Sequence, residues 1–305
     1  MARADRVDAG DLRWRRNRRY QAVRRCVLLI SIASVFIAPL LFLQRLQIQS
    51  SGISGGGRWA AIAAHLPSTS SPTLGAPWTV RLFRLEFLDP LAAAGLIAAR
   101  SFALGALIGL LPTLILVALL GRFFCGWLCP YLPLLSASNA LRSLLRRLGF
   151  EPPDLRLPRR SSFVVLAALL VATALGNSQL APLIYPPSLI GREVFRALFF
   201  GTLGSGALVL AAAFAFDSFV SRGGFCRSLC PGGALFSLLA AASPVVIRRN
   251  VQACTDCTLC DAVCAMGQRP MTDRVDPGCD RCAKCVSVCP TGALSITFRA
   301  SQERR

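Results

Sequence analysis

The chain has 305 residues, a formal net charge of +19 and 54% hydrophobic residues, with a mean hydropathy of +0.54 and an isoelectric point near 10.8. These values exclude an ordinary soluble domain. The basic residues flank apolar stretches and form no separate aromatic-interleaved basic domain, which also excludes a nucleic-acid binder.

In chain order, a basic segment (1–25) precedes four apolar stretches: Val27–Leu43, Phe102–Leu120, Phe163–Leu180 and Ala197–Phe216. Apolar runs of about 17–25 residues read as membrane helices. The third is interrupted near its end by Gly176, Asn177, Ser178 and Gln179. Nine arginines precede Cys26, seven lie from Arg122 to Arg160 and ten from Arg222 onward, against four in 44–90 and two in 181–196. By the positive-inside rule both termini are cytoplasmic, as expected for a multi-pass protein of a bacterial inner membrane. Arg100 reads as an interface marker. Arg24-Arg25 is reminiscent of a twin-arginine export signal, but no small-residue cleavage site follows, so the first span is expected to stay.

Two copies of one motif follow: Phe124-Cys125-Gly126-Trp127-Leu128-Cys129-Pro130 and Phe225-Cys226-Arg227-Ser228-Leu229-Cys230-Pro231. Both read F-C-x2-L-C-P, and matching cysteines are 101 positions apart in each case. The membrane region (26–243) is therefore expected to be two pseudo-repeated hairpins, each ending in the motif. The i, i+4 spacing puts both sulfurs on one face if the segment is helical. Burial as small apolar residues would explain single cysteines, whereas the duplication favours a redox or metal role. A dithiol–disulfide couple, a four-thiolate site shared between hairpins and transient binding of a metal such as copper remain open. Cys26, without a partner at this spacing, reads as structural.

Eight of the thirteen cysteines occupy the last 52 residues, in two copies of C-x2-C-x2-C-x3-C: Cys254, Cys257, Cys260, Cys264 and Cys279, Cys282, Cys285, Cys289. This spacing binds cubane iron–sulfur clusters, and in the two-cluster bacterial arrangement the fourth cysteine of each run serves the other cluster. The expected sets are Cys254, Cys257, Cys260 with Cys289, and Cys279, Cys282, Cys285 with Cys264. Structural zinc usually takes two separated pairs. Cys289 is followed by Pro290 but Cys264 by Ala265, and the long loop to Cys279 makes the first half looser. Strand-like segments at Pro244–Ile247 and Ala293–Phe298 complete a small α+β ferredoxin-type domain (244–305) whose core is too small to be stable without clusters. Arg281 and Lys284, between ligands, would favour the reduced state. Reducing cytoplasm suits such thiols.

His65 is the only histidine, so a bis-histidine haem is excluded, and no C-x-x-C-H, Rossmann or phosphate-loop motif is present. No haem, flavin dinucleotide or nicotinamide is expected. Glu86, Asp89, Glu193 and Asp217 read as interfacial carboxylates before proton carriers, and Arg192 and Arg196 as snorkelling residues.

Together these motifs, with Asp89-Pro90-Leu91, Pro187-Ser188-Leu189-Ile190-Gly191-Arg192 and Cys226 to Leu235, resemble the NapH/MauN family of membrane-bound ferredoxin-type proteins. The resemblance implies four membrane helices, cytoplasmic clusters and electrons moving from the quinone pool, through another electron-transfer protein, to a periplasmic enzyme such as nitrate reductase or the methylamine dehydrogenase system. It leaves open whether the chain is a quinol-oxidising component or a carrier without catalysis of its own, and the site of any quinone. The alternative is a maturation factor that spends cluster electrons on a metal or disulfide of a client.

Overall fold

A computed structural model describes residues 20–37, 80–82, 85–87, 89–99, 104–155, 157–176, 180, 183–272 and 275–298. His65, Arg100 and most of the basic N-terminal segment lie outside the described residues, as does the side chain of Glu86. The elements in order are α1 (Tyr20–Ile37), β1 (Val80–Leu82), β2 (Leu85–Phe87), α2 (Pro90–Ala98), α3 (Leu104–Leu120), α4 (Phe123–Trp127), α5 (Leu132–Arg147), α6 (Arg160–Gly176), α7 (Pro186–Phe200), α8 (Ser205–Ala215), α9 (Pro231–Leu239), β3 (Val245–Arg249), α10 (Leu259–Val263), α11 (Lys284–Val288) and β4 (Leu294–Phe298).

Local chemistry sets the helix starts. Asp89 accepts hydrogen bonds from the Leu91 and Ala92 amides (2.8 and 3.2 Å) and so caps α2, with Pro90 in the first helical position. Tyr185 and Pro186 open α7 in the same Pro-first manner. Among the described residues α1 alone is long and apolar enough to cross a membrane; α3 and α6 have 17 residues each, about 26 Å of helix. The expected span Ala197–Phe216 is not one helix. α7 ends at Phe200 on Gly201, whose φ of +63° suits glycine, and α8 starts again at Ser205. The hydropathy of 197–216 is continuous, so an apolar average hides the break that two glycines make.

The duplicated halves are interleaved. α5, which follows the first cysteine motif, packs on α8 and the turn at 216–220 of the second half, while α9, which follows the second motif, packs on α6 of its own half as well as on α2 and α3 of the first. Between them lies a core of Leu91, Tyr131, Leu135, Leu166, Leu169, Tyr185, Phe225 and Ala234, against which Cys129, Cys226 and Cys264 are packed. The C-terminal unit pairs β3 with β4 antiparallel, Val245 opposite Phe298 and Arg249 opposite Leu294, close to the strands expected from sequence. Its own core consists of Ile247, Leu294 and three cysteines, Cys260, Cys279 and Cys285.

Candidate metal centres and cysteine motifs

The eight C-terminal cysteines sit on two loops of matching shape. Thr258 and Ala283 directly precede α10 and α11, and each short helix carries the third cysteine of its run. Four non-glycine residues have positive φ among the described residues: Asp256 (50°), Thr258 (58°), Arg281 (51°) and Ala283 (55°). They occupy the same places in the two runs, two residues after the first cysteine and one after the second. Left-handed backbone at aspartate, threonine, arginine and alanine is unfavourable and persists only where something overdetermines it. A cubane held by the flanking thiolates supplies that constraint. Among the described residues no three Cys, His, Asp or Glu side chains converge to hold a single metal ion. The two cysteine-rich loops, with left-handed residues at matching places, fit a multi-iron cluster.

Cys264 is placed near the opposite run. It lies within electrostatic range of Cys279 and Cys285, the residues of the opposite run. Burial pushes the Cys260 thiol up to about 11, helped by Asp261. Burial also takes Cys279 to about 12, helped by Asp280. Ligation by iron has to supply the positive charge that turns these thiols into thiolates.

The F-C-x2-L-C-P copies share one hydrogen bond. In each, the amide of the second cysteine donates five residues back: Cys129 N to Phe124 O (3.0 Å) and Cys230 N to Phe225 O (2.8 Å). The first copy is nonetheless an α-helical turn, in which Leu128 N also donates to Phe124 O (3.0 Å), whereas the second is a π turn over Phe225–Leu229 in place of the ordinary helix, and such turns recur at functional sites. Pro231 opens α9 directly and Pro130 lies two residues ahead of α5, so that each motif lies at a helix N-terminus. Cys230 Sγ accepts from the Gly233 amide (3.4 Å) as the cap of α9. All four cysteines are free thiols. They are also mutually close enough to interact electrostatically: Cys226 feels Cys230, Cys129 and Cys125. Burial raises the Cys125 thiol, and the adjacent Arg122 guanidinium partly offsets this. Cys26 stands apart and exposed.

Sequence reasoning did not single out the residues that join the two cysteine groups. Arg122 is 4% exposed, and its Nη1 donates to Gly278 O (3.1 Å) and Ser237 Oγ (3.2 Å). Trp127 Nε1 donates to Arg281 O (3.2 Å). From α1, Gln21 donates to Cys282 O (3.2 Å) and Arg24 to Gly126 O (2.7 Å), with the Tyr20 ring edge-on to Trp127. The available signal was an arginine between an apolar run and a cysteine motif, Leu120-Gly121-Arg122-Phe123. Arg281, expected only to tune potential, is buried, donates from Nε to Val245 O (2.9 Å) and lies over Gly121. Asp217 is fully buried and accepts from Tyr131 Oη and the Phe225 amide, both 2.9 Å, so it anchors the second motif. Glu193 accepts from the Gly204 amide at the α7–α8 break.

Two cysteine-rich loops docked on a thiol-rich helical body fit an iron–sulfur electron-transfer protein. Known proteins agree. The family described as "4Fe-4S binding domain" matches residues 102–148 and 202–252, the two segments that hold the F-C-x2-L-C-P copies. The ferredoxin-type protein NapH of Escherichia coli is 35% identical over 161 residues, 52% of this chain and 53% of its own length. The methylamine utilization ferredoxin-type protein MauN of Methylorubrum extorquens is 37% identical over 145 residues, 47% of each chain. MauN of Paracoccus denitrificans is 28% identical over 253 residues, 82% of this chain and 77% of its own. The chain belongs to the NapH/MauN family of ferredoxin-type proteins. It spans about half the length of the first two relatives. No solved structure matches it.

Proposed function

We propose that the chain is a multi-pass membrane protein that carries electrons between the quinone pool and another electron-transfer protein serving a periplasmic enzyme, with its cysteine loops on the cytoplasmic side. Its membrane region is formed by α1, α3, α6 and the broken α7–α8 pair. In support, Ile108, Leu111 and Ile115 on α3, Val164, Val171 and Leu175 on α6 and Leu208 on α8 are exposed, and apolar surface of this extent marks a membrane or partner face. Cys254, Cys257, Cys260 and Cys289 hold one [4Fe–4S] cluster and Cys264, Cys279, Cys282 and Cys285 the other. When bound, these clusters supply one-electron transfer at low reorganisation. The residues of this chain fix the two loops, exclude water from the buried one and join it to the helical body.

The observation that carries this reading is the direct attachment of a cubane-binding loop, 278–282, to the first cysteine motif. Purified protein is expected to contain close to eight irons and to show two interacting reduced clusters by electron paramagnetic resonance; a zinc-only protein would sink the proposal. Quinol use is tested separately by adding a quinol to oxidised protein in detergent, where bleaching of the cluster absorbance is expected.

The free thiols of Cys125, Cys129, Cys226 and Cys230 favour one second reading, a maturation factor that reduces a metal or disulfide on a client. Serine at all four positions separates the two. Loss of quinol-to-cluster electron flow supports the relay. Intact flow with loss of cofactor from the client supports maturation.

A further inference from the structure

The two cysteine runs are copies with an offset of 25 residues and the same pair of left-handed residues, yet their surroundings are opposite. Thr255, Asp256, Cys257, Thr258 and Leu259 are exposed, whereas Gly278, Cys279, Asp280, Arg281 and Ala283 are buried. What covers the second run is the helical body, and it does so from both duplicated halves.

From the first half, three successive features address the backbone of 278–281. Arg122 donates to Gly278 O (3.1 Å) and Trp127 to Arg281 O (3.2 Å). Gly126 lies so near Asp280 that a Cβ there would stand 2.3 Å from its carbonyl oxygen. Only a residue without a side chain allows this approach. From the second half, Gly223 (φ +60°) would place a Cβ 2.7 Å from Ala265 O, next to Cys264, and Gly267 lies under the Arg227 guanidinium. Arg159, at the start of the loop into α6, donates to Met266 O (2.9 Å). The residues clasped in this way flank Cys264, Cys279 and Cys282, which are ligands of a single expected set.

We infer that the two ligand sets have fixed and different stations. Cys264, Cys279, Cys282 and Cys285 form an inward set seated in a socket built by both F-C-x2-L-C-P copies, and Cys254, Cys257, Cys260 and Cys289 form an outward set open to aqueous one-electron reagents. This rests on the ligand sets proposed above and adds their order. It gives the duplication a physical role, since each copy grips one of the two loops that supply the inward set.

The test uses the full chain with its clusters, reduced in detergent. The Cys257→Ser and Cys282→Ser variants identify which resonance belongs to which set. A soluble dysprosium chelate is then added to the unaltered protein. The signal changed by Cys257→Ser is expected to relax several-fold faster with the chelate, and the signal changed by Cys282→Ser to be little affected; equal or reversed enhancement overturns the inference. Absence of two cluster signals is a different failure and removes the ligand sets themselves. Amide exchange of the unaltered protein and of Gly126→Ala needs no ligand variant. Residues 279–283 are expected to exchange more slowly than 254–258 and to lose that protection selectively in Gly126→Ala. Equal exchange of the two runs, or no selective loss, overturns the order.

Discussion

At the scale of single residues, the junction is made of groups that sequence patterns rank low. Gly126→Ala is expected to cost about 1–3 kcal/mol, because the added carbon meets backbone that cannot swing aside. Gly149, whose φ is +83° with open space around it, is the control: alanine there costs about 1 kcal/mol through backbone strain alone and leaves amide exchange of 278–283 unchanged. Thermal unfolding of the detergent-solubilised protein measures both. Arg122→Met strands the Gly278 carbonyl in a dry interface and is expected to lower stability by about 2–3 kcal/mol, with the loss again seen first as exchange at 278–283. A third contact has a defined pH window. Burial alone would raise the Asp276 carboxyl, but Arg159, Gln268 and the Gly278 amide together hold it below the usual aspartate range. A carboxyl depressed in the folded state contributes fully above its unfolded value of about 3.9 and loses that contribution only as pH falls through the lower folded value. The difference in stability between the wild type and Asp276→Asn should therefore be constant from pH 8 to pH 5. Because Asp276 is half exposed, it should stay below about 1 kcal/mol. A difference that changes across that range would assign the titration to another group.

At the scale of elements, the cysteine patterns were legible because they depend on local spacing, and the β3–β4 pair lies close to the strand-like segments read at Pro244–Ile247 and Ala293–Phe298, whereas the helices that follow the two F-C-x2-L-C-P copies carry no such local signal. The π turn of the second copy was not legible, since F-C-x2-L-C-P is equally compatible with an α-helical turn, the form that its first copy takes. The break between α7 and α8 was missed for a different reason. Gly201 and Gly204 carry no hydropathy penalty, and the capping carboxylate, Glu193, is eleven residues from the amide that it accepts from. The turns also set an expectation for mutagenesis. Because Cys230 Sγ caps α9, Cys230→Ser retains an acceptor at that place and should melt within a degree or two of wild type, while Cys230→Ala loses the cap and about 1 kcal/mol. A serine variant that unfolds would show that the sulfur is needed for packing and not as a cap.

At the scale of the whole molecule, the parts expected on either side of 243–244 share packing. Cys264, Ala265 and Met266 belong to the same core as Tyr131, Tyr185 and Phe225, and no sequence pattern announces that contact, because the residues that make it are ordinary until they meet. Three of the five buried residues at the centre of the C-terminal unit are cysteines, so on the proposed ligand sets that centre would depend on bound metal. Removal of iron by a chelator under reducing conditions is expected to abolish amide protection across 245–298 and leave that of α3, α6 and α9 largely intact; uniform loss throughout the chain would mean that the helical body cannot stand without its docked partner. The Gln21–Cys282 hydrogen bond links positions 261 residues apart, which has a consequence for biogenesis. α1 and Trp127 are made well before Cys282, so Gln21 and Trp127 meet their partners at Arg281 and Cys282 only after that loop has been synthesised. Their meeting is then a checkpoint on assembly. A chain cut before Cys254 would leave Gln21 and Trp127 without these partners, an uncovered surface that a quality-control protease could read.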